Sequence, residues 1–327
     1  MIGSRLRRKV MDVSDTEAMR FVRGTGHKWD ILKHAVGSAI RGYQAVLDDH
    51  RHRHLIPTLD KVESPLRGYA YEGAAMGLTC LDLFSLRGNK FSDYLQGPAA
   101  DHAYMVHIGA GEALARLHRN PEPFLRRLPH PVLRWLVMDG FGFHEGFFRP
   151  AAHVVSQRIP QKLSLYARRV FDQGLGRSFY FSCGAEVDEV SSIVSTFHPG
   201  RHRDLWLGVG VGAGYVGGLS FPEVERLRDL AGPYAIQLGI GAAFVAKGRL
   251  CAGNLIEETD IAARSLCDRP AEQAAQLVDE AFAALEGTTS ACAYDLLQNH
   301  IGQRLCLPGG RSVACADDST GDQLAQA

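Results

Sequence analysis

The sequence predicts an all-α protein in which helical-hairpin repeats of about 33 residues form a superhelix or a closed α/α toroid. Three observations predict it. Glycine supplies 35 of 327 residues, about 11% against a usual share of roughly 7%, and the excess lies in short recurring clusters, not in linkers. The leading glycines of six clusters, Gly73, Gly109, Gly140, Gly174, Gly208 and Gly239, are 36, 31, 34, 34 and 31 residues apart, close to the period of two-helix solenoid units. Between the clusters, apolar residues recur at helical spacing and not in the alternation of a strand.

Composition bounds the rest. Lys and Arg together number 36, as do Asp and Glu, so nothing points to nucleic acid or an anionic membrane as the main partner. The seven cysteines are scattered and never form a C-x-x-C pair, which reads as reduced thiols and not as a disulfide framework or zinc site.

Residues 1–34 form an N-terminal extension. Its basic start is followed by Asp12, Asp15 and Glu17 where a signal peptide would place its apolar region, so the expected location is cytoplasmic. The run DDHRHRH (Asp48 to His54) interleaves two arginines with its histidines and reads as a solvated helix end or loop, not a metal tract.

The repeat array is placed at 35–253. Its clusters are EGAAMG, HIGAGEALARL, DGFGFHEG, QGLGRSF, LGVGVGAG and LGIGAAFVAKG, each expected in a unit made of a helix pair. In LPHPVLRWLVMDG, Pro131 stands near the start of an apolar helical pattern. Phe221, Val224, Leu227 and Leu230 recur every three residues, and Pro222 suits a first helical turn. Residues 254–306 read as capping helices, with DRPAEQAAQLVDEAFAALEG ending at Gly287, and 307–327 as a disordered tail poor in large apolar residues.

Gly212, Gly214 and Gly217 spell the G-x-G-x-x-G of a dinucleotide loop, but only Leu205 to Leu207 could supply the preceding strand. The 18 uncharged residues from Leu205 to Pro222 reach the lower length of a membrane span, yet six glycines dilute their hydrophobicity, and membrane association is not expected. At helical spacing Gly208 and Gly212 share one face, and Gly210 and Gly214 another, so the stretch reads as a small-x-x-x-small packing surface. Such glycines cost about 1 kcal/mol each relative to alanine, which tight packing or room for a ligand must offset.

With EGAAMG, YLQGPAADHAYMVHIGAGEALARL, DGFGFHEGFF and LWLGVGVGAGYVGG in that order, the chain resembles the UnbL-type proteins of enediyne antitumour-antibiotic gene clusters, a domain-of-unknown-function family. The likeness spans residues 35 to about 300. It implies a biological setting: action on the linear polyene from the iterative polyketide synthase, or on a derived intermediate, on the way to the enediyne core. It supplies no catalytic residues to carry over, and the cofactor stays unknown.

Candidates come from polar residues within the glycine clusters, among them Glu72, His107, Glu112, Asp139 and Asp172. His144 and Glu145, set among glycines and aromatics in GFGFHEGFF, are the leading acid/base pair, since histidine changes charge near neutral pH. His107 and Glu112 lie about 500° apart on a helix and face different ways, and His107 is taken as the pocket-facing member. Gly109, Gly111, Gly140, Gly142, Phe143, Gly210 and Gly214 are the expected ligand-binding set for a hydrophobic polyene-like molecule. No metal site is expected: E-x-x-H and H-E-x-x-H are absent, and His198 and His202 are separated by a Pro-Gly that implies a turn.

Two functions follow. An enzyme or enzyme subunit would move protons on the polyene during desaturation or cyclisation. A non-catalytic scaffold or carrier would instead assemble other enediyne cluster proteins on an extended surface. Any oxidation would then require a partner protein or a bound cofactor.

Overall fold

The computed structural model describes residues 19–305 apart from 21, 86, 87, 289 and 291. The expected tail at 307–327 and the first 18 residues of the expected extension lie outside the described residues.

Every regular element among the described residues is helical. The helices are α1 (Gly26–Asp48), α2 (His52–Leu59), α3 (Ser64–Leu83), α4 (Lys90–Gln96), α5 (Ala103–Arg116), α6 (Glu122–Leu125), α7 (Leu136–Phe148) and α8 (Leu165–Ser182). They continue with α9 (Val187–Ser195), α10 (Pro199–Val216), α11 (Phe221–Ala231), α12 (Ala235–Cys251), α13 (Glu257–Cys267), α14 (Ala271–Ala284) and α15 (Ala293–Leu305). Helix α1 runs through the boundary expected between residues 34 and 35.

Local signals set many of these limits. Ser220 and Glu223 form a reciprocal capping box at the start of α11, with Pro222 in the first turn, where its missing amide costs nothing. At its other end α10 stops at Gly217, whose φ of 75° lies in the left-handed region that glycine enters without penalty. Gly212 and Gly214 are therefore interior helical residues and Gly217 is an end cap, so the dinucleotide pattern is not a phosphate loop. No helix is long and apolar enough to cross a membrane among the described residues.

Two sequence readings are corrected. The helix expected near Pro131 begins instead at Leu136, because His130 Nδ1 accepts hydrogen bonds from the amides of Val132 and Leu133 at 3.2 and 3.1 Å and holds that segment in a turn. Pro199 and Gly200, read as a turn, are the first turn of α10, where proline is well tolerated; the His198 ring caps it by accepting from the Gly200 amide.

The long glycine-bearing helices pack in chain order: α1 on α3, α3 on α5, α5 on α7, α7 on α8, α8 on α10, and α10 on α12. Shorter helices fill most of the links. Between α7 and α8 the link is a short π-helical turn, Ala151–Val155, tied by the His153 ring to the Arg158 carbonyl at 2.7 Å. The last helices close over the α12 end: α14 and α15 pack on α12, and Arg169 of α8 joins Asp204 of α10 to Asp295 of α15.

Candidate functional site

Two residues along an α-helix turn 200°, so the two glycines of a G-x-G face opposite ways. The structure uses this at one interface after another. A methyl placed on Gly140 of α7 would fall on the carbonyl oxygen of Ile108 in α5, and one on Gly142 would fall on that of Phe171 in α8. In α8, Gly174 meets the Asp139 carbonyl behind it and Gly176 the Leu205 carbonyl ahead. Hence the backbones touch where any side chain would separate them. Along α10, Gly208 and Gly212 turn to α8 while Gly210 and Gly214 turn to α12, the two faces read from the sequence.

The register recurs. The backward-facing glycines Gly109, Gly140, Gly174, Gly208 and Gly241 each meet the carbonyl of the residue just before the corresponding glycine one long helix earlier, namely Glu72, Ile108, Asp139, Gln173 and Leu207. In α12 this role belongs to Gly241, and Gly239, taken as the leading glycine from the sequence, turns to α13 at Leu266.

That register aims a third set of residues inward. The residues three after Gly73, which meets the Ala39 carbonyl of α1, and after each of these five glycines are Met76, Glu112, Phe143, Arg177, Val211 and Phe244, and all six line one of two adjoining chambers. The first chamber, about 670 Å³ of atom-free space with its mouth included, lies between α1, α3, α5, α7 and α8. Phe143, Phe147, Phe148, Phe181, Tyr43 and Tyr69 give it aromatic walls. The second, about 560 Å³ on the same measure, extends between α5, α8, α10 and α12 and is bounded by Tyr294 of α15. Tyr69, Arg177 and Phe181 belong to both.

A buried polar cluster sits where the chambers meet. Arg177, 4% exposed, donates through Nε to Asp139 at 2.8 Å, has Nη1 3.8 Å from Glu72, and lays its guanidinium 4.1 Å from the Phe143 ring centre. Gln173 donates to the other Asp139 oxygen at 2.7 Å and accepts from the Tyr294 hydroxyl at 2.9 Å. Glu72 and Glu112 hydrogen-bond to each other. Burial pushes both carboxyls up, Glu72 to about 7 against the pull of Arg177, and Glu112 further because Glu72 adds its charge. The pair therefore holds a proton to well above the usual carboxylate range. Arg177 Nη2 and the Tyr69 hydroxyl are buried with no hydrogen-bond partner.

His144 and Glu145 are neighbours, Nδ1 to Oε1 4.0 Å, but neither lines the chamber that holds the Glu72–Glu112 pair. Burial drives His144 down to about 3, so it stays neutral near pH 7. Glu145 is engaged by His153 at 2.6 Å and Arg149 at 2.9 Å; burial raises its pKa, and these partners outweigh it and hold it below the usual range. It lines a separate open groove with His118, Arg119, Arg158 and Lys162. His107 is on another wall, its Nδ1 2.6 Å from the Ala103 carbonyl and its ring edge-on to Phe91, with burial lowering it to about 4. The three are thus not brought to one point. Of the expected ligand-binding set, Phe143 lines the first chamber; neighbouring backbone fills the space beside Gly109, Gly111, Gly140, Gly142 and Gly210, and Val245 that beside Gly214.

Glu72, Glu112 and Asp139 were visible as polar residues in glycine clusters, but Arg177 and Gln173 were missed. The signal lay in the register: each falls just before a backward glycine or three after it, on one helical face. Among the described residues, no group of three or more His, Cys, Asp or Glu is placed to hold a metal ion.

The family model described as a protein of unknown function, DUF1702, matches residues 2–305, and the chain belongs to that family. Comparison with curated proteins and with solved structures found no match.

Proposed function

We propose that this member of the DUF1702 family acts in enediyne biosynthesis, binding the linear polyene or a derived intermediate in its aromatic chamber and moving protons on it. The observation that carries this is the Glu72–Glu112 pair: two buried, mutually hydrogen-bonded carboxyls in a wall otherwise made of aromatic and aliphatic side chains and of Arg116 and Arg177. A flat conjugated chain matches the aromatic walls. Glu72, which faces Arg177, accepts a proton and Glu112 gives one, so double bonds shift or a ring closes without net oxidation. Their mutual hydrogen bond returns the proton from Glu72 to Glu112. In this reading His144, Glu145 and His107 hold the walls, and the recurring glycine register is a repeated unit of the superhelix or toroid.

The test is complementation of a host lacking this gene. Glu72→Gln and Glu112→Gln should each abolish enediyne product while the proteins still accumulate folded. Wild-type titres from the double variant would overturn the proton-transfer reading. A second reading, a carrier or scaffold for other cluster proteins, is favoured by the cationic groove of Arg119, Arg149, Arg158 and Lys162, which suits an acidic partner. It predicts stoichiometric co-purification that survives loss of both glutamates.

A further inference from the structure

From the wall that the two chambers share, we infer that the ligand is a two-armed conjugated ketone: its oxygen is held by Arg177 and Tyr69, its unsaturated arm lies in the first chamber and its other arm in the second. This rests on the proposed function and names the substrate class.

The wall presents two donors without partners. Arg177 Nη2 and the Tyr69 hydroxyl are both buried, both without a partner, and both on residues that line the two chambers. A buried donor left unsatisfied is costly, so a site that keeps two is shaped for an oxygen that arrives with the ligand. Charge selects the kind of oxygen. Arg177 already faces Asp139 at 2.8 Å and Glu72 at 3.8 Å, and a carboxylate ligand would bring further negative charge into that space. A neutral carbonyl accepts both hydrogen bonds and brings none.

Position selects a ketone over an aldehyde. The donors stand between the chambers, and space continues on both sides. The second chamber is walled by Ile108, Val211, Phe244 and Val245, and it accepts an aliphatic arm. On the other side, the glutamate pair faces the conjugated arm.

The same placement gives the carbonyl a chemical task. Glu72 removes a proton from the carbon at the far end of the conjugated arm, the C–H electron pair moves along the chain onto oxygen, and Arg177 and Tyr69 hold the resulting enolate. Glu112 then delivers its proton to another carbon of the arm, the carbonyl reforms, and Glu72 passes its proton to Glu112. The double bonds have moved, and no electrons are gained or lost.

The probes are deca-3,5,7-trien-2-one, deca-2,4,6-triene and deca-2,4,6-trienoic acid, with binding followed by ultraviolet absorbance of the full-length protein. The ketone should bind at least tenfold more tightly than the triene or the acid. Tyr69→Phe, and Arg177→Met combined with Asp139→Asn to avoid a stranded charge, should each erase that preference while the triene still binds. Lengthening the methyl arm should strengthen binding by about fourfold per methylene until the second chamber fills, and Val245→Trp should flatten that series. In D2O, wild type should introduce deuterium at C3, C5 or C7 of the trienone, the arm carbons that Glu112 can protonate, and Glu72→Gln should not. Equal affinity for ketone and triene would overturn this inference and leave the proposed function standing. Failure of every probe to bind would overturn both.

Discussion

Gly174→Ala and Gly37→Ala should move stability in opposite directions, although both place one methyl on a glycine inside a helix. At Gly37 in α1 the new Cβ meets only Arg41 Nη1 at 3.5 Å, an ordinary contact, so the change yields the intrinsic helical advantage of alanine, up to about 1 kcal/mol. At Gly174 the Cβ would lie 2.7 Å from the Phe143 amide nitrogen and 2.8 Å from the Asp139 carbonyl carbon, and closer still to that carbonyl oxygen. These are backbone atoms, so no rotamer change relieves them. Helices α7 and α8 must separate by roughly 1 Å, and gaps of that size forfeit a quarter to a half of each dispersion contact along the seam. Overpacking of this kind costs about 3 kcal/mol, offset by about 1 kcal/mol of helix propensity, for a net loss of about 2 kcal/mol. For 327 residues the unfolding entropy near 60 °C is roughly 0.7 kcal/mol/K, so Tm should fall by about 3 °C. Urea denaturation and calorimetry measure both variants. Gly142→Ala acts at the same α7–α8 seam, so the double variant should cost about 1 kcal/mol less than the sum, because one separation makes room for both methyls. Stabilisation of both Gly37→Ala and Gly174→Ala, or strict additivity at the seam, would refute the backbone-contact argument.

Three other outcomes are expected. Glu72 has its folded-state pKa raised to about 7, so the native protein keeps this proton to higher pH than the unfolded chain; its contribution is full below about pH 4.5 and is lost as pH rises to 7. At 1.36 kcal/mol per unit this is about 3 kcal/mol, read as the difference in urea stability between wild type and Glu72→Gln across that window; superimposable pH profiles would contradict it. Arg177→Met alone should destabilise by about 3–5 kcal/mol because it strands buried Asp139, and adding Asp139→Asn should recover most of that loss in chemical denaturation. Native alkylation followed by peptide mass mapping should label the exposed Cys251 and Cys292 and spare Cys80, Cys183 and Cys267, whose thiols burial pushes up to about 12; rapid labelling of the buried three would contradict the packing.

What the sequence made legible was local or periodic. The α11 start was readable because Pro222 stands in the first turn of an apolar spacing that begins at Phe221, and the glycine faces of α10 followed from helical geometry alone. The start of α7 was not, because the turn before it is held by the His130 side chain, which competes with a helix that the apolar spacing equally permits. In α12, Gly239 and Gly241 are indistinguishable as letters, and only the arrangement of α10 and α13 around that helix decides which faces which. The site was the hardest to read. His144 and Glu145 draw notice because they are adjacent in an aromatic string, whereas Glu72, Glu112 and Arg177 come from three helices and meet only through the register of the glycines.

The glycines and the charged cluster have a common cause. Backbones in contact bring successive helices so close that residues three beyond each backward glycine converge on one interior, where bulk alone would fill it with aliphatic side chains. Met76 and Val211 obey that rule, Phe143 and Phe244 meet it with apolar rings, and Glu112 and Arg177 at the equivalent positions break it. Replacing buried ion clusters with apolar residues of similar volume is often neutral or stabilising, so stability does not require this one. Its donors are also incompletely used, since Arg177 Nη2 and the Tyr69 hydroxyl lack partners while Asp139 is bound by both Arg177 and Gln173. A cluster built only to lock the fold would satisfy its own hydrogen bonds first. One that leaves two donors open beside a carboxyl pair whose proton affinity burial has raised breaks the rules of packing where a functional site would.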